Sequence, residues 1–102
     1  MSEIKIGIIG LGLMGRELAS AAARWCHFTD DLPKPVIKGI CDKNLEGTAS
    51  WFKKNFKDIE VVSDDYKEFV TSEKIDVLYC AVPHVLHTDV FTAAIQAGKH
   101  LL

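Results

Sequence analysis

The chain has 102 residues, of which 48% are apolar and 25% are charged, and its formal net charge is −2 at pH 7. This length suits one domain with a buried core, and the composition differs from that of disordered chains. The slightly acidic balance argues against nucleic acid as a partner, because domains that bind it carry a basic surplus or stripe.

The first half of the chain predicts a strand, a helix and a second strand. Residues 4–9 are almost continuously apolar, as in a parallel strand that is buried on both faces. The next stretch has apolar residues at helical spacing, namely Met14, Leu18, Ala21, Ala22 and Trp25. HFTDDLPKP then predicts a loop broken by Pro33 and Pro35, and VIKGIC predicts a second strand that ends at Asp42.

The second half continues this alternation. A second helix, capped by Asn44, carries one apolar stripe formed by Leu45, Ala49, Phe52 and Phe56. IEVV predicts a third strand, and DDYKEFV predicts a short helix whose first turn is capped by Ser63 or Asp64. IDVLYCAV predicts a fourth strand. The fourth helix ends at Gly98, a C′ glycine, and is marked by Leu86, Val90, Ala93, Ala94 and Ala97.

Strands and helices that alternate with short links require crossover connections. The fold class is therefore α/β, with a doubly wound parallel sheet. The last residues, HLL, begin a fifth strand that is truncated. We expect residues 1–102 to form one domain and to be a piece of a longer protein.

Three glycines, Gly10, Gly12 and Gly15, stand at G-x-G-x-x-G spacing between the first strand and the first helix. This arrangement is typical of a dinucleotide site: the first glycine makes the tight turn, the second admits the diphosphate, and the third lets the helix approach the sheet. The helix N-terminus adds unpaired N–H groups and partial positive charge. We assign the whole turn to the cofactor site, including Leu11, Leu13 and Met14. Arg16 either reaches the phosphates or lies in solvent.

Asp42 ends the second strand, farther past Gly15 than the usual ~20 residues because a proline-containing loop intervenes. A carboxylate there accepts hydrogen bonds from the ribose hydroxyls and repels a 2′-phosphate, which favours NAD over NADP. Lys43 keeps NADP open, since its cation can accept a 2′-phosphate or lie over the adenine. The alternative role of Asp42 is to cap the second helix.

The fourth strand supplies the other wall of the predicted site. Pro83 forces Val82 into an extended conformation and ends the strand at the carboxyl edge of the sheet, where ligands bind in such folds. Ala81, Val82 and Pro83 thus form an apolar wall against the ribose or nicotinamide. His84 and His87 have a spacing that suits a metal, but no third ligand is near in sequence, so we expect no metal site. His87 lies either beside the cofactor, held by a hydrogen bond, or in a purely structural role.

The segment AVPHVLHTDVFTAAIQAGKHLL resembles the end of the N-terminal domain in the glucose–fructose oxidoreductase / inositol dehydrogenase (Gfo/Idh/MocA) family. The family pattern is a strand, T-P-N-x-x-H, a helix and A-G-K-H-V. Together with the glycines and Asp42, the matching positions are Pro83, His87, Ala97, Gly98, Lys99 and His100. The chain departs from the pattern at Val82, where Thr is usual, and at His84, where Asn is usual.

The resemblance implies a Rossmann-type dinucleotide-binding domain of an NAD(P)-dependent oxidoreductase. Such an enzyme moves a hydride between nicotinamide and a hydroxyl-bearing carbon of a sugar, cyclitol or related polyol. The family's E-K-P motif, whose lysine transfers the proton, follows the segment that this chain contains. We therefore assign no catalytic residue, expect the piece alone to be inactive, and expect a homo-oligomer formed through an absent C-terminal domain. The alternative is a non-catalytic module of the same fold that senses the dinucleotide.

Two other classes of enzyme fit the sequence less well. The opening IGIIGLGLMG also resembles 3-hydroxyacid dehydrogenases of the hydroxyisobutyrate type, but Asp42, Lys43 and the segment 83–87 differ from them. A methyltransferase usually carries an acid at the end of its first strand, and this strand has none.

The cysteines and the absence of targeting signals predict the compartment. The chain has an odd number of cysteines, and their spacing is not that of metal ligands; they are Cys26, Cys41 and Cys80. No apolar run approaches the roughly 20 residues that span a bilayer, and the N-terminus lacks the basic region of a signal peptide. We expect a cytoplasmic protein with reduced thiols and no membrane partner.

Overall fold

The structure, a computed structural model, describes residues 3–24, 34–82 and 84–101. Its elements in chain order are β1 (Glu3–Ile9), α1 (Leu13–Ala23), β2 (Lys34–Cys41), α2 (Leu45–Asn55), β3 (Val61–Ser63), α3 (Tyr66–Phe69), β4 (Val77–Cys80), α4 (His84–Gln96) and β5 (His100–Leu101).

The five strands form one parallel sheet in the order β3-β2-β1-β4-β5. β1 lies at the centre, and the chain moves outward from it first on one side and then, after β3, on the other. Residues of α1 and α2 share one core cluster and residues of α3 and α4 the other, so the helices cover both faces of the sheet. The expected doubly wound α/β fold is confirmed.

The sheet's two faces bury different side chains because successive strand residues point to opposite sides. Ile6, Ile8 and Phe52 belong to the cluster under α1 and α2, whereas Ile9 and Phe69 belong to the cluster under α3 and α4.

Two glycines that pair across β1 and β2 make room for the core cluster under α3 and α4. Gly7 pairs with Gly39, and a Cβ atom on Gly39 would lie 2.7 Å from Ile75 and 2.9 Å from Phe69. Ile75 and Phe69 are almost completely buried. The two glycines thus let α3 and the loop after it pack against the sheet backbone.

The buried face of α1 agrees only in part with the expected one, since Leu18 and Ala22 pack on the core but two other members of the stripe do not. Met14 is 55% exposed and Ala21 is exposed, while Gly15 and Ala19 are buried. The smallest side chains face inward because the helix lies close to the sheet: a Cβ on Gly15 would clash with the carbonyl oxygen of Gly10. Trp25, the last member of the expected stripe, lies outside the described residues.

The predicted loop before β2 is partly wrong, since Pro35 lies inside that strand, opposite Ile4. β3 pairs with β2 only from Gly39 onward, so among the described residues no strand lies on that side of Pro35, where its missing N–H costs no ladder hydrogen bond. Pro33 lies outside the described residues.

The helix ends follow the sequence with one correction. Asn44 caps α2 as expected, its side chain accepting from the Gly47 N–H. α3 is capped by Asp65, one residue later than expected, because the helix begins only at Tyr66. Gly98 has φ +75° and ends α4 as expected, with the Lys99 N–H donating to the Ala94 carbonyl.

Candidate dinucleotide-binding site

The turn from β1 into α1 is built on a backbone conformation that only glycine adopts readily. Gly10 has φ +95°, and a Cβ there would lie 2.8 Å from the carbonyl group of Ala81. The Gly10 N–H donates to the Cys41 carbonyl at 2.8 Å, and the Ala81 N–H donates to the Ile9 carbonyl at 2.8 Å. The turn is therefore fixed against the ends of both neighbouring strands.

The N-terminus of α1 is open at the second glycine. Gly12 is the N-cap residue, it is exposed, and no side chain caps the helix. A Cβ on Gly12 would meet no atom within 4 Å. The first N–H groups of a helix have no acceptor inside it and carry partial positive charge, so this end can receive an anion.

Asp42 connects the turn to the start of α2. Its Oδ2 accepts from the Leu11 N–H at 2.8 Å, and its Oδ1 accepts from the Asn44 N–H at 2.9 Å. Each carboxylate oxygen has a further lone pair for a ligand hydroxyl. The carboxylate thus supports the cap residue Asn44 without being the N-cap of α2 itself, and it remains half-exposed.

Leu11 is placed differently from the rest of the turn. Its N–H is occupied by Asp42, and its side chain is fully buried in the core under α1. Leu11 therefore holds the turn in place and does not bind an anion. The N–H groups that are open to an anion begin at Gly12.

A pocket of about 410 Å³ lies at the carboxyl ends of β1, β2 and β4. This volume is within the range of small-molecule sites, and the position is the switch point from which β1 and β4 lead to opposite faces. Its lining is mostly apolar with a few polar groups, and it comprises Ile9, Gly10, Gly12, Cys41, Asp42, Lys43, Asp64, Tyr66, Ala81, Val82 and Val90.

Six predicted site residues line this pocket, namely Gly10, Gly12, Asp42, Lys43, Ala81 and Val82. Gly15 is buried behind the turn, and Met14 is exposed on the first turn of α1. Pro83 and the side chains of Leu13 and His84 lie outside what the structure describes.

The sequence reasoning missed five of the lining residues. Ile9 and Cys41 end their strands and Asp64 follows β3, so the rule that parallel strands end at one edge could have found them. Tyr66 and Val90 come from α3 and α4, and only the packing of those helices brings them to the pocket.

His87 supports the segment after β4. Its Nε2–H donates to the Val82 carbonyl at 2.7 Å, and its ring stacks on Phe91 with the ring centroids 5.4 Å apart. The hydrogen bond expected of this histidine is present, although His87 is not part of the pocket lining. It fixes the wall that Val82 contributes.

Two groups near the turn, the Arg16 guanidinium and the Cys41 thiol, pack against neighbouring side chains or are buried. The Arg16 guanidinium lies over the Trp51 ring at 5.6 Å, toward α2 rather than the pocket. Burial, with the carboxylates of Asp42, Asp65 and Asp64 adding to it, raises the pKa of the Cys41 thiol to about 12. Cys41 therefore contributes a neutral, apolar surface to the pocket.

Other features of the described residues give less support for a functional site. A groove of about 620 Å³ lies between α3 and α4, away from the strand ends. Within residues 3–24, 34–82 and 84–101, no three His, Cys, Asp or Glu side chains are grouped to hold a metal ion. None of the helices described there is long and apolar enough to cross a bilayer.

Named relatives match this chain in sequence over its whole length. Levoglucosan dehydrogenase of Pseudarthrobacter phenanthrenivorans is 31% identical over 103 residues, which cover 100% of this chain and 26% of that protein. The scyllo-inositol 2-dehydrogenase (NADP(+)) of Bacillus subtilis is 30% identical over 102 residues, 100% of this chain and 25% of that protein. The chain thus spans about a quarter of the length of these relatives.

Solved structures agree with the sequence relatives. Levoglucosan dehydrogenase in complex with NADH and L-sorbose matches with a TM-score of 0.85 and 30% identity, over 99% of this chain and 27% of that one. The scyllo-inositol dehydrogenase from Lactobacillus casei with bound NAD(H) and scyllo-inositol matches with a TM-score of 0.80 and 27% identity, over 98% of this chain and 27% of that one.

The family model described as "Oxidoreductase family, NAD-binding Rossmann fold" matches residues 4–102, nearly the whole chain. The parallel sheet, the glycine turn and the acid that ends β2 agree with that description. The chain belongs to the Gfo/Idh/MocA oxidoreductase family and is an NAD-binding Rossmann domain of it.

Proposed function

We propose that this chain is the cofactor-binding domain of a cytoplasmic, homo-oligomeric NAD-dependent dehydrogenase and that its 410 Å³ pocket receives the dinucleotide. The observation that carries the proposal is the uncapped N-terminus of α1, which opens beside that pocket at Gly12. An uncapped helix end is costly when it has no partner, and a diphosphate satisfies its N–H groups and its charge.

The lining gives each part of the cofactor a partner. The diphosphate lies at Gly12, where no side chain intervenes. The adenosine ribose donates its hydroxyls to the carboxylate of Asp42, which backbone N–H groups hold in one orientation. The adenine rests on the apolar part of the lining, and Ala81 and Val82 lie toward the nicotinamide half.

The substrate and the reaction belong to the whole protein. When bound, the cofactor exchanges a hydride with a hydroxyl-bearing carbon, and this chain's residues hold it without taking part in proton transfer. The relatives named for levoglucosan and scyllo-inositol support a sugar or cyclitol substrate. We place the substrate-binding and catalytic residues, and the contact between subunits, outside residues 1–102. Cys41 and Cys80, the cysteines among the described residues, are free and buried, which is consistent with a reducing compartment.

Calorimetry with NADH on the 102-residue chain tests the proposal. We expect weak but saturable binding, and at least ten-fold weaker binding for Gly12→Ala, because the added methyl occupies the space that the diphosphate needs. Ser20→Ala, an exposed change on the same helix, is the control and should bind as the unaltered chain does. Far-UV circular dichroism and thermal unfolding verify that each variant is folded. A folded chain that binds no NADH at millimolar concentration would refute the proposal.

A further inference from the structure

A second carboxylate stands beside Asp42 in the pocket. Cys41 and Ser63 are paired across β2 and β3, so Asp42 and Asp64 are the next residues of the two neighbouring strands. The Asp42 N–H donates to the Ser63 carbonyl at 3.2 Å, which continues the pairing to this point. Both aspartates line the same pocket, together with Lys43.

We propose that Asp64 acts with Asp42 to exclude a 2′-phosphate, so that the site selects NAD(H) over NADP(H). This inference rests on the proposed function, because it assumes that the pocket receives the adenosine half of a dinucleotide. It assigns a role in cofactor choice to the residue that follows β3.

The hydrogen bonds of the neighbouring aspartates indicate why the charge of Asp64 affects a ligand in the pocket. Both oxygens of Asp42 accept backbone N–H groups, which offset part of its negative charge. Asp65 caps α3, where its Oδ1 accepts from the Lys67 N–H at 3.0 Å, and it is not among the pocket-lining residues. Asp64 is exposed and lines the pocket, so its charge acts directly on what enters there.

Lys43 does not make the net charge at this end of the pocket positive. Asp42, Asp64 and Lys43 line the pocket at this end, and their side chains together carry one negative unit of charge. A phosphate monoester carries about −1.5 to −2 charges at pH 7, so it meets net repulsion there. An ammonium group also lacks the planar fork with which arginine binds phosphate through two bonds.

The test is the ratio of the NADPH and NADH dissociation constants in the unaltered chain and in Asp64→Asn. We expect the unaltered chain to bind NADH more tightly. The ratio of the NADPH to the NADH constant should fall about five-fold in Asp64→Asn at 50 mM salt, and less at 500 mM, where exposed charges are screened. Asp58→Asn removes the same charge from the exposed turn before β3, near the amino end of β2 and outside the pocket lining, and should leave the ratio unchanged.

The outcomes separate this inference from the function on which it rests. A ratio that is the same in Asp64→Asn and in the unaltered chain, while NADH still binds, would overturn the role of Asp64 alone. A preference of the unaltered chain for NADPH would overturn it as well. If a folded chain binds neither dinucleotide, the proposed function fails and this inference fails with it.

Discussion

The Asp42 carboxylate accepts a 2.8 Å hydrogen bond from the Leu11 N–H and thereby joins the end of β2 to the turn after β1. Its second oxygen accepts from the Asn44 N–H, so one side chain sets the position of the glycine turn and of the first residues leading into α2. The residue that we propose to hold the ribose is therefore also a structural part of the turn.

Asp42→Asn tests this double role. Asparagine has one acceptor oxygen, so its NH₂ group must face one of the two backbone N–H donors. We expect the free energy of unfolding to fall by about 1–3 kcal/mol, because a donor is left without an acceptor. Urea unfolding without cofactor measures it. Asp58→Asn, an exposed turn residue, should change stability by less than about 0.5 kcal/mol. Equal stability of Asp42→Asn and the unaltered chain would show that the two bonds contribute little.

Gly39→Ala tests the close packing of the loop after α3 on the sheet. The new Cβ would lie 2.7 Å from Ile75 Cδ1 and 2.9 Å from Phe69, both within the core. Overpacking of this kind costs about 1–3 kcal/mol, measurable by urea unfolding.

Ile75→Val removes the Cδ1 atom that the new methyl meets and serves as the partner in a double-mutant cycle. The valine alone costs about 0.5–1.5 kcal/mol. We expect the double variant to lose less stability than the sum of the two single losses. Strict additivity would mean that the contact between residues 39 and 75 does not set the cost.

Lys99→Met tests an ammonium group that stabilises a loop from inside. Lys99 Nζ donates to the carbonyl oxygens of Ser72 and Ile75, both at 2.6 Å, and so holds the loop that leads into β4. We expect a loss of about 1–3 kcal/mol and faster hydrogen exchange at the Ile75 N–H. Lys53→Met, at an exposed position of α2, is the control. Unchanged exchange at Ile75 in Lys99→Met would contradict this role.

The Cys41 thiol makes stability depend on alkaline pH. Burial and nearby carboxylates raise its pKa from 9.0 to about 12 in the folded chain. Below pH 9 the thiol is neutral in both states and its contribution is complete. Between pH 9 and 12 only the unfolded chain loses the proton, so stability falls with rising pH, by up to about 1.4 kcal/mol per unit.

Urea unfolding at pH 8, 9 and 10 measures this slope, and Cys41→Ala should show a shallower one. Labelling of the native chain with iodoacetamide at pH 8 should leave Cys41 unmodified, because the thiolate is the nucleophile. Rapid modification of Cys41 in the folded chain, or equal slopes in both proteins, would contradict the raised pKa.

The sequence predicted the features that depend on local spacing. The order of strands and helices, the Gly10 turn, the Asn44 cap and the Gly98 helix end follow from periodicity and from what each residue's backbone allows. The inward face of α1 was predicted only in part: Leu18 and Ala22 pack on the core as expected. Apolar spacing also favours Met14, but the close approach of the helix to the sheet buries Gly15 and Ala19 instead.

The parts of the site that were missed depend on contacts between distant segments. The Leu11–Asp42 bond joins residues 31 positions apart, and no local pattern marks it. Tyr66 and Val90 reach the pocket only because α3 and α4 pack on the same face of the sheet. Asp64 could have been found, because it follows β3 and parallel strands end at one edge of the sheet; only its place next to Asp42 depends on the register of β3 on β2.

The central claim is that the open end of α1 receives the diphosphate while Asp42 holds the ribose. Backbone ¹H–¹⁵N spectra recorded during titration with NADH test it most directly in a chain of this size. We predict the largest shifts at the N–H groups of Gly12, Met14, Gly15 and Lys43. Largest shifts at Thr92, Ala93 and Gln96, in the groove between α3 and α4, with residues 10–15 unmoved, would contradict it.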